Sequence, residues 1–211
     1  MIADQLTIEV NQLAKRYNRE WIFKNFTHTF KSGQTYAITG PNGSGKSTLL
    51  QVLWGQLPQS EGKIDYVKNG NAIGVHDIFR HVAVAAPYMD LIEELTLAEQ
   101  LEFHFKLRKP RAGYSIGSMI DRLYMSDSRD KQITNFSSGM KQRVKLGLAF
   151  FTETDVIFLD EPGTNLDEKA FAWYKENLAN PDLKNSLIFI ASNQKSEYSD
   201  RAEVISVAAY K

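Results

Sequence analysis

The sequence predicts an α/β fold in which a parallel core sheet, preceded by antiparallel strands, carries an inserted helical subdomain. Strand-like segments come first, helix-like segments follow from Leu95, and nearly all-apolar strand segments then return with a helix between them. The 211 residues are 43% apolar and 24% charged, which suits one globular domain.

The N-terminal part is predicted to be mostly strand. LTIEVNQL and WIFKNFTHTF combine alternation with β-favouring residues, so they predict the antiparallel strands. QTYAITG predicts a short apolar strand that ends at Gly40, and KSTLLQVLWG predicts a helix closed by Gly55. Two further strands are predicted at GKIDYV and RHVAVAAP.

The rest of the chain divides into a helical segment and a return to the core. TLAEQLEFHFKL, SIGSMIDRLYM and GMKQRVKLGLAFF have helical spacing of their apolar residues. DVIFLD and SLIFIAS are apolar enough to lie buried in a parallel sheet, with a helix, EKAFAWYKENL, between them. We therefore predict one domain over 1–211, with a nucleotide-binding core at 1–86 and 153–211 and a helical subdomain at 87–152.

Composition excludes several classes of protein. There is no cysteine, so disulfides, thiolate metal sites and a cysteine nucleophile are absent. Lys+Arg and Asp+Glu both total 25, which argues against nucleic acid as a partner. The N-terminus MIADQLTIEV lacks a secretory pattern, and no apolar run approaches the roughly 18 residues of a membrane span. We expect a cytoplasmic protein.

A phosphate-binding loop follows the third predicted strand. The segment matches G-x-x-x-x-G-K-[ST] at every fixed position, between a predicted strand and a predicted helix. Its glycines allow backbone N–H groups to surround a phosphate, and the helix adds its positive N-terminal end. We expect Lys46 to reach the β- and γ-phosphates and Ser47 to bind Mg²⁺. The predicted nucleotide-binding residues are Gly40, Pro41, Asn42, Gly43, Ser44, Gly45, Lys46, Ser47 and Thr48.

Two acidic residues close the buried strand DVIFLD. Ligands of open α/β sheets bind at the carboxyl ends of the strands, where the phosphate loop also lies. Asp160 is therefore placed to hold Mg²⁺, directly or through water, and Glu161 to polarise an attacking water. The alternative, two solvated acids in a turn, fits poorly with the four apolar residues that lead into the pair.

These residues resemble the nucleotide-binding domain of ATP-binding cassette (ABC) proteins, which have a P-loop NTPase core. GPNGSGKST looks like the Walker A loop of that family, and VIFLDEP looks like its Walker B strand with the catalytic glutamate. FSSGMKQR looks like the family signature and TNLD like its D-loop, in the expected order. The resemblance covers essentially the whole chain.

The resemblance implies a site shared between two domains that pair head to tail. Ser137 and the Gly139 N–H of one domain would then contact the γ-phosphate held by the other. By itself, the serine-rich segment is equally consistent with an ordinary helix N-cap, and the two interpretations are compatible. Tyr17 matches the aromatic residue that stacks on adenine. ATP and Mg²⁺ are the implied cofactors.

Three positions depart from the family pattern. The signature has Ser138 and Met140 in place of a glycine and a glutamine, and the glutamine expected near Pro87 is missing. The switch histidine after the last predicted strand is Asn193, which can bind a γ-phosphate as a donor but cannot carry a proton. We therefore expect Lys46, Glu161 and Asn193 to serve catalysis, with slower hydrolysis than in a member with the full set.

The leading hypothesis is the ATPase subunit of an ABC transporter. Its multi-span permease would be a separate chain that holds the subunit at the inner face of the cell membrane. The alternatives are a soluble ABC ATPase without a transport role and a nucleotide-binding regulatory module with little turnover. The transported substrate, the direction of transport and the choice between homodimer and heterodimer stay open.

Overall fold

The computed structural model describes residues 5–211, so the first four residues of the predicted core lie outside the described residues. The described chain forms nine strands and five α-helices, with short 3-10 turns between them. The strands are β1 Leu6–Tyr17, β2 Glu20–Lys31, β3 Thr35–Thr39, β4 Glu61–Lys68, β5 Asn71–Ile73, β6 Val82–Ala85, β7 Val156–Asp160, β8 Leu187–Ala191 and β9 Glu203–Ser206. The helices are α1 Lys46–Leu53, α2 Leu97–Leu107, α3 Ile116–Arg122, α4 Ser138–Phe151 and α5 Glu168–Leu178.

The strands form two sheets. A parallel sheet has the order β6-β7-β8-β3-β9, and an antiparallel sheet has the order β2-β1-β4-β5. This arrangement confirms the predicted combination of a parallel core with N-terminal antiparallel strands. Because parallel strands share one direction, the segments that follow β3, β7 and β8 emerge at the same edge of the sheet.

The two central strands are apolar along their whole length because both of their faces are covered. In β7, Val156 and Phe158 pack into the core beneath the antiparallel sheet and α1, whereas Ile157 and Leu159 pack toward the helices. Phe158 stacks on Phe189 of β8 with ring centroids 4.7 Å apart. This two-sided burial explains why alternation is missing from the sequence of these strands.

The helical part of the chain is set by local capping as well as by its apolar spacing. Thr96 and Glu99 form a reciprocal capping box at the start of α2, and Ser137 caps α4 by accepting from the Met140 N–H at 3.2 Å. Helices α2 to α4 lie within the predicted insert of 87–152, whose boundaries remain a prediction. None of the helices in residues 5–211 is long and apolar enough to cross a membrane.

Two strands of the structure were not predicted. β5 has three residues, and β9 has four of which only Ile205 is buried, so neither shows a periodic pattern. Both lie at the edge of a sheet, where the neighbouring strand rather than the sequence imposes the extended conformation.

We predict that His104 makes the protein less stable in mild acid. Its Nε2 lies 2.9 Å from the Thr152 hydroxyl, which itself donates to the Leu148 carbonyl, so the imidazole donates here. Burial, helped by the positive Arg108, lowers the pKa of His104 to about 4. A lowered histidine pKa favours the fold above the unfolded value of roughly 6.5, and this contribution is lost as the pH falls from there toward 4.

Urea unfolding at pH 7.5 and at pH 5 measures this effect. Between the two pH values, the free energy of unfolding of the parent should fall by about 2 kcal/mol more than that of His104→Gln. The amide of the glutamine can keep the hydrogen bond to Thr152. His76→Gln is the matched control because His76 is exposed, and it should behave like the parent. An equal fall in the free energy of unfolding of the parent and of His104→Gln would show that His104 does not cause the acid sensitivity.

Candidate nucleotide site

The phosphate loop is a tight turn that only glycine can form at several points. It leaves β3 at Thr39 and enters α1 at Lys46, and Gly40, Gly43 and Gly45 all have positive φ angles, of 144°, 75° and 103°. A Cβ atom at Gly45 would collide with the Ile22 side chain of β2. The antiparallel sheet therefore forms one wall of the loop, which the sequence did not indicate.

Lys46 curls back over this loop. Its Nζ donates to the Gly40 carbonyl at 2.9 Å and to the Pro41 carbonyl at 3.3 Å, and the residue is 5% exposed. The charged end thus lies among backbone groups of the turn. Around it is a cleft of about 200 Å³ lined by Ile22, Asn42, Gly43, Gly45, Lys46, Ser47, Thr48 and Glu161.

Asp160 has the features of a metal ligand. The residue is 1% exposed, and neither carboxylate oxygen has a well-aligned hydrogen-bond partner within residues 5–211. Burial raises the pKa of this carboxyl; the neighbouring Ser47 hydroxyl lowers it, and the charge of Glu161 adds to the rise. A buried carboxylate beside the Ser47 hydroxyl fits a hard cation, since both groups supply oxygen.

The described residues contain no group of three or more His, Asp and Glu side chains that could hold a metal by themselves. A Mg²⁺ ion at Asp160 and Ser47 would therefore need further oxygen ligands from water or phosphate, which is the usual way in which nucleotide sites hold this ion. The chemistry of the two residues thus fits a nucleotide-bound Mg²⁺.

Glu161 has a strained backbone at the mouth of the cleft. Its φ of +46° lies in the left-handed region, although it is not a glycine. The turn is fixed because its N–H donates to the Ala191 carbonyl at 2.9 Å and its carbonyl accepts from the Thr164 N–H at 3.1 Å. This conformation directs the chain so that Glu161 lines the cleft beside Lys46 and Ser47.

Asn193 lies next to the phosphate loop, as the position after β8 predicts. The Ser192 N–H donates to the Ile38 carbonyl of β3 at 3.1 Å, which fixes the end of β8 beside the loop. The Asn193 side-chain Nδ2 then donates to Asn42 Oδ1 at 2.8 Å. The structure therefore brings together the phosphate loop, the acidic pair and Asn193.

Two predicted groups lie outside this cleft. Tyr17 is 46% exposed, does not line the cleft, and has the Lys15 ammonium 5.0 Å from its ring centre. It does lie on the β1–β2 hairpin that supplies Ile22. The adenine role of Tyr17 therefore remains a prediction.

The predicted signature residues line a separate pocket of about 210 Å³. Ser137 and Gly139 line it together with Asn165 and Asp167 of the predicted D-loop. A Cβ atom at Gly139 would lie 2.6 Å from the Asn165 carbonyl oxygen, so this close approach requires glycine. The pocket shares no lining residue with the phosphate-loop cleft.

Sequence reasoning missed Tyr88, which follows the proline at the place of the expected glutamine. Its ring lies 6.5 Å from that of Trp54, and partial burial, followed by the charge of Asp160, raises its pKa. The phenol therefore stays protonated beside the carboxyl group of the predicted metal site. The Pro87 carbonyl accepts from Lys145 of α4 at 3.1 Å. No local pattern signals these contacts, since they join segments far apart in sequence.

The chain is similar in sequence to known proteins. The profile of the family described as "ABC transporter" matches residues 23–164. The uncharacterized ABC transporter ATP-binding protein YybJ of Bacillus subtilis is 30% identical over 90% of this chain and 87% of its own length. The sulfate/thiosulfate import ATP-binding protein CysA of Yersinia pestis is 26% identical, and the match spans 95% of this chain but 58% of that protein.

The fold is shared with a solved structure, a putative ABC transporter ATP-binding protein from Pyrococcus furiosus. The TM-score is 0.79 at 19% sequence identity, and the alignment covers 97% of this chain and 98% of the other. At this identity the likeness concerns the fold alone.

We predict that Lys46→Ala abolishes ATP binding and leaves the fold intact. The ammonium is the only cationic side chain that lines the described cleft, so phosphate binding should depend on it. Isothermal calorimetry with Mg-ATP measures the affinity, and circular dichroism checks the fold. Lys63→Ala is the control, because Lys63 is an exposed lysine that lies beside Asp65, on β4. Unchanged affinity in the Lys46 variant would contradict the assignment.

Proposed function

Because this chain belongs to the ABC transporter family, whose members generally hydrolyse ATP, we propose that it is the ATP-hydrolysing subunit of a transporter. In this proposal a separate multi-span permease carries the substrate and holds the subunit on the inner face of the membrane. The subunit supplies the energy through ATP-driven pairing with a second ABC domain.

Different residues of the cleft are proposed to bind different parts of Mg-ATP. The glycine-rich turn offers backbone N–H groups and Lys46 offers positive charge to the β- and γ-phosphates. Ser47 and Asp160 would hold Mg²⁺, which neutralises charge on the phosphates when it is bound. Tyr17 is proposed to stack on the adenine, as the family resemblance implies.

Glu161 is proposed as the residue that orients and deprotonates the attacking water. It lines the cleft, and its strained backbone is held by hydrogen bonds to Ala191 and Thr164. A general base must lie within hydrogen-bond reach of the water that it activates, and a fixed turn lowers the entropic cost of holding it there. Asn193 would donate to the γ-phosphate from the other side of the loop.

The observation that carries the proposal is the separation of the signature pocket from the phosphate-loop cleft. Each carries features suited to phosphate: Ser137 with the N-terminus of α4 in one, and Lys46 in the other. They share no lining residue in one chain, so each remains half of a site. Two copies related head to tail would bring the halves together, with ATP between them.

A groove beside the helical subdomain is suited to a short helix of the permease. It has a volume of about 370 Å³ and lies between the segment after β6 and helices α2 and α4. Its walls include Phe79 and Met89, which are 57% and 41% exposed. Apolar side chains exposed around a groove are typical of helix-in-groove recognition.

A second candidate function is a nucleotide-binding module with little turnover. Asn193 favours it, since an amide cannot carry the proton that a histidine could. Pro87 also favours it, because proline has no side-chain amide for the metal site. Steady-state phosphate release from the parent protein, with Lys46→Ala as the blank, separates a slow ATPase from a module without turnover.

We predict that Glu161→Gln traps an ATP-bound dimer. The amide keeps the shape of the side chain but removes its basicity, so ATP should persist between the subunits. Light scattering with Mg-ATP should show the mass doubling for this variant and not for Glu102→Gln, which changes an exposed glutamate of α2. A persistent monomer would count against a homodimer and favour an unlike partner domain.

We predict that Asn193→His raises the turnover rate and keeps ATP affinity within a few-fold. General acid–base help from a well-placed group is typically worth about 10²–10⁴ in rate, and a positional role would give less. Phosphate release at saturating Mg-ATP is the measurement. Asn185→His, at an exposed position before β8, is the control for adding a histidine. A slower Asn193→His enzyme would mean that the site has adapted to the asparagine and its bond to Asn42.

A further inference from the structure

One buried acidic residue has no part in the site described above. Glu197 ends a short turn after β8 and is 2% exposed. A Cβ atom at Gly163 would lie 2.9 Å from Glu197 Cδ and would collide with Oε1, so the carboxyl group packs directly on the Gly163 backbone. Within residues 5–211 the other oxygen, Oε2, is buried without a hydrogen-bond partner.

The neighbours of this carboxyl belong to two turns of the nucleotide site. Gly163 is two residues after Glu161, and Ser192 immediately precedes Asn193. Burial raises the pKa of Glu197; the Ser192 hydroxyl and the Gly163 N–H lower it, and the charge of Glu161 raises it further. One turn therefore contacts the carboxyl at Gly163, and the other leads into Glu197 itself, whose N–H donates to the Gln194 carbonyl next to Asn193.

The backbone of Glu197 is held in place from a third element. The Tyr174 hydroxyl of α5 donates to the Glu197 carbonyl at 2.6 Å, and the Glu197 N–H donates to the Gln194 carbonyl at 3.0 Å. Lys175 Nζ donates to the Ser196 carbonyl at 2.8 Å. The Glu197 backbone is therefore fixed, and its carboxyl group reaches the Gly163 backbone of the other turn.

Stability does not explain a carboxylate at this position. A buried acid with an unpaired oxygen is destabilising compared with a neutral side chain of the same size. Residues that weaken the fold are typical of functional sites, where geometry matters more than stability.

We propose that Glu197 is a positioning residue. The contact of its carboxyl group with the Gly163 backbone, the tie, links the turn carrying Glu161 to the turn carrying Asn193. The tie fixes the spacing between Glu161, which lines the cleft, and Asn193, whose side chain donates to Asn42 of the phosphate loop. Its value for hydrolysis rests on the function proposed above, whereas the tie itself is a property of the free chain and can be tested without turnover.

The first experiment measures the distance between the two turns. The chain has no cysteine, so Thr164→Cys and Lys195→Cys introduce two spin labels at exposed positions. One label lies on the turn after Glu161 and the other on the turn after Asn193. Pulsed electron–electron double resonance should give a narrow distance distribution between the two labels. Glu197→Ala should broaden the distribution, and Glu197→Gln, which keeps an acceptor oxygen beside Gly163, should keep it narrow.

A second variant covers the case in which Glu197→Ala does not fold. Gly163→Ala leaves Glu197 in place but forces the turn away from the carboxyl, so it should broaden the same distribution. Asp200→Ala, an exposed change three residues away, is the control and should leave the distribution narrow. A narrow distribution in folded Glu197→Ala or Gly163→Ala would overturn the proposal, whatever the ATPase rate.

The third measurement separates positioning from a general loss of structure. Turnover should fall by about 10- to 100-fold in Glu197→Ala with ATP affinity nearly unchanged, because the phosphate loop is not part of the tie. In an Asn193→Ala background the same change should have a much smaller effect, since one end of the tie has lost its function. Fully additive effects, or a fall in affinity equal to the fall in turnover, would overturn the proposal. If no variant and no parent hydrolyses ATP, the proposed function fails, and the distance measurement still decides on the tie.

Discussion

The parallel pairing of β3, β7 and β8 is the constraint on which the site depends. Asp160 pairs with Ala191, and hydrogen bonds from Glu161 to Ala191 and from Ser192 to Ile38 lock the three strand ends together. Each end continues into a different functional segment: the phosphate loop, the acidic pair and the turn with Asn193. The apolar strands are buried on both faces, so their relative positions change only at a large cost in packing.

The two halves of the proposed shared site lie apart within one chain. The cleft contains Lys46, Ser47 and Glu161, whereas Ser137 and Gly139 lie in a pocket of their own. The signature helix α4 also contacts the segment at Pro87 through Lys145, next to the groove proposed for the permease. Movement of the helical subdomain by a partner would therefore be transmitted to both the signature and Tyr88, which lies beside Asp160.

The sequence predicts the parts of this site that depend on local patterns. The phosphate loop is a contiguous motif, the acidic pair ends an apolar strand, and the N-cap of α4 is a serine followed by helical spacing. The parts that it missed are contacts between distant segments: Ile22 against Gly45, Tyr88 beside Asp160, and Glu197 against Gly163. These depend on how the two sheets and the turns pack, and periodicity carries no information about that. The short edge strands β5 and β9 were missed for the same reason.

If ATP is hydrolysed in a site shared by two chains, two inactive variants with defects in different halves should complement each other. Lys46→Ala removes the phosphate-loop half, and Ser137→Arg blocks the signature half. A mixed dimer has one site with both halves intact, so an equal mixture should regain about a quarter of the parental turnover, because random pairing makes half of the dimers mixed. A mixture no more active than the two variants measured separately would contradict the account.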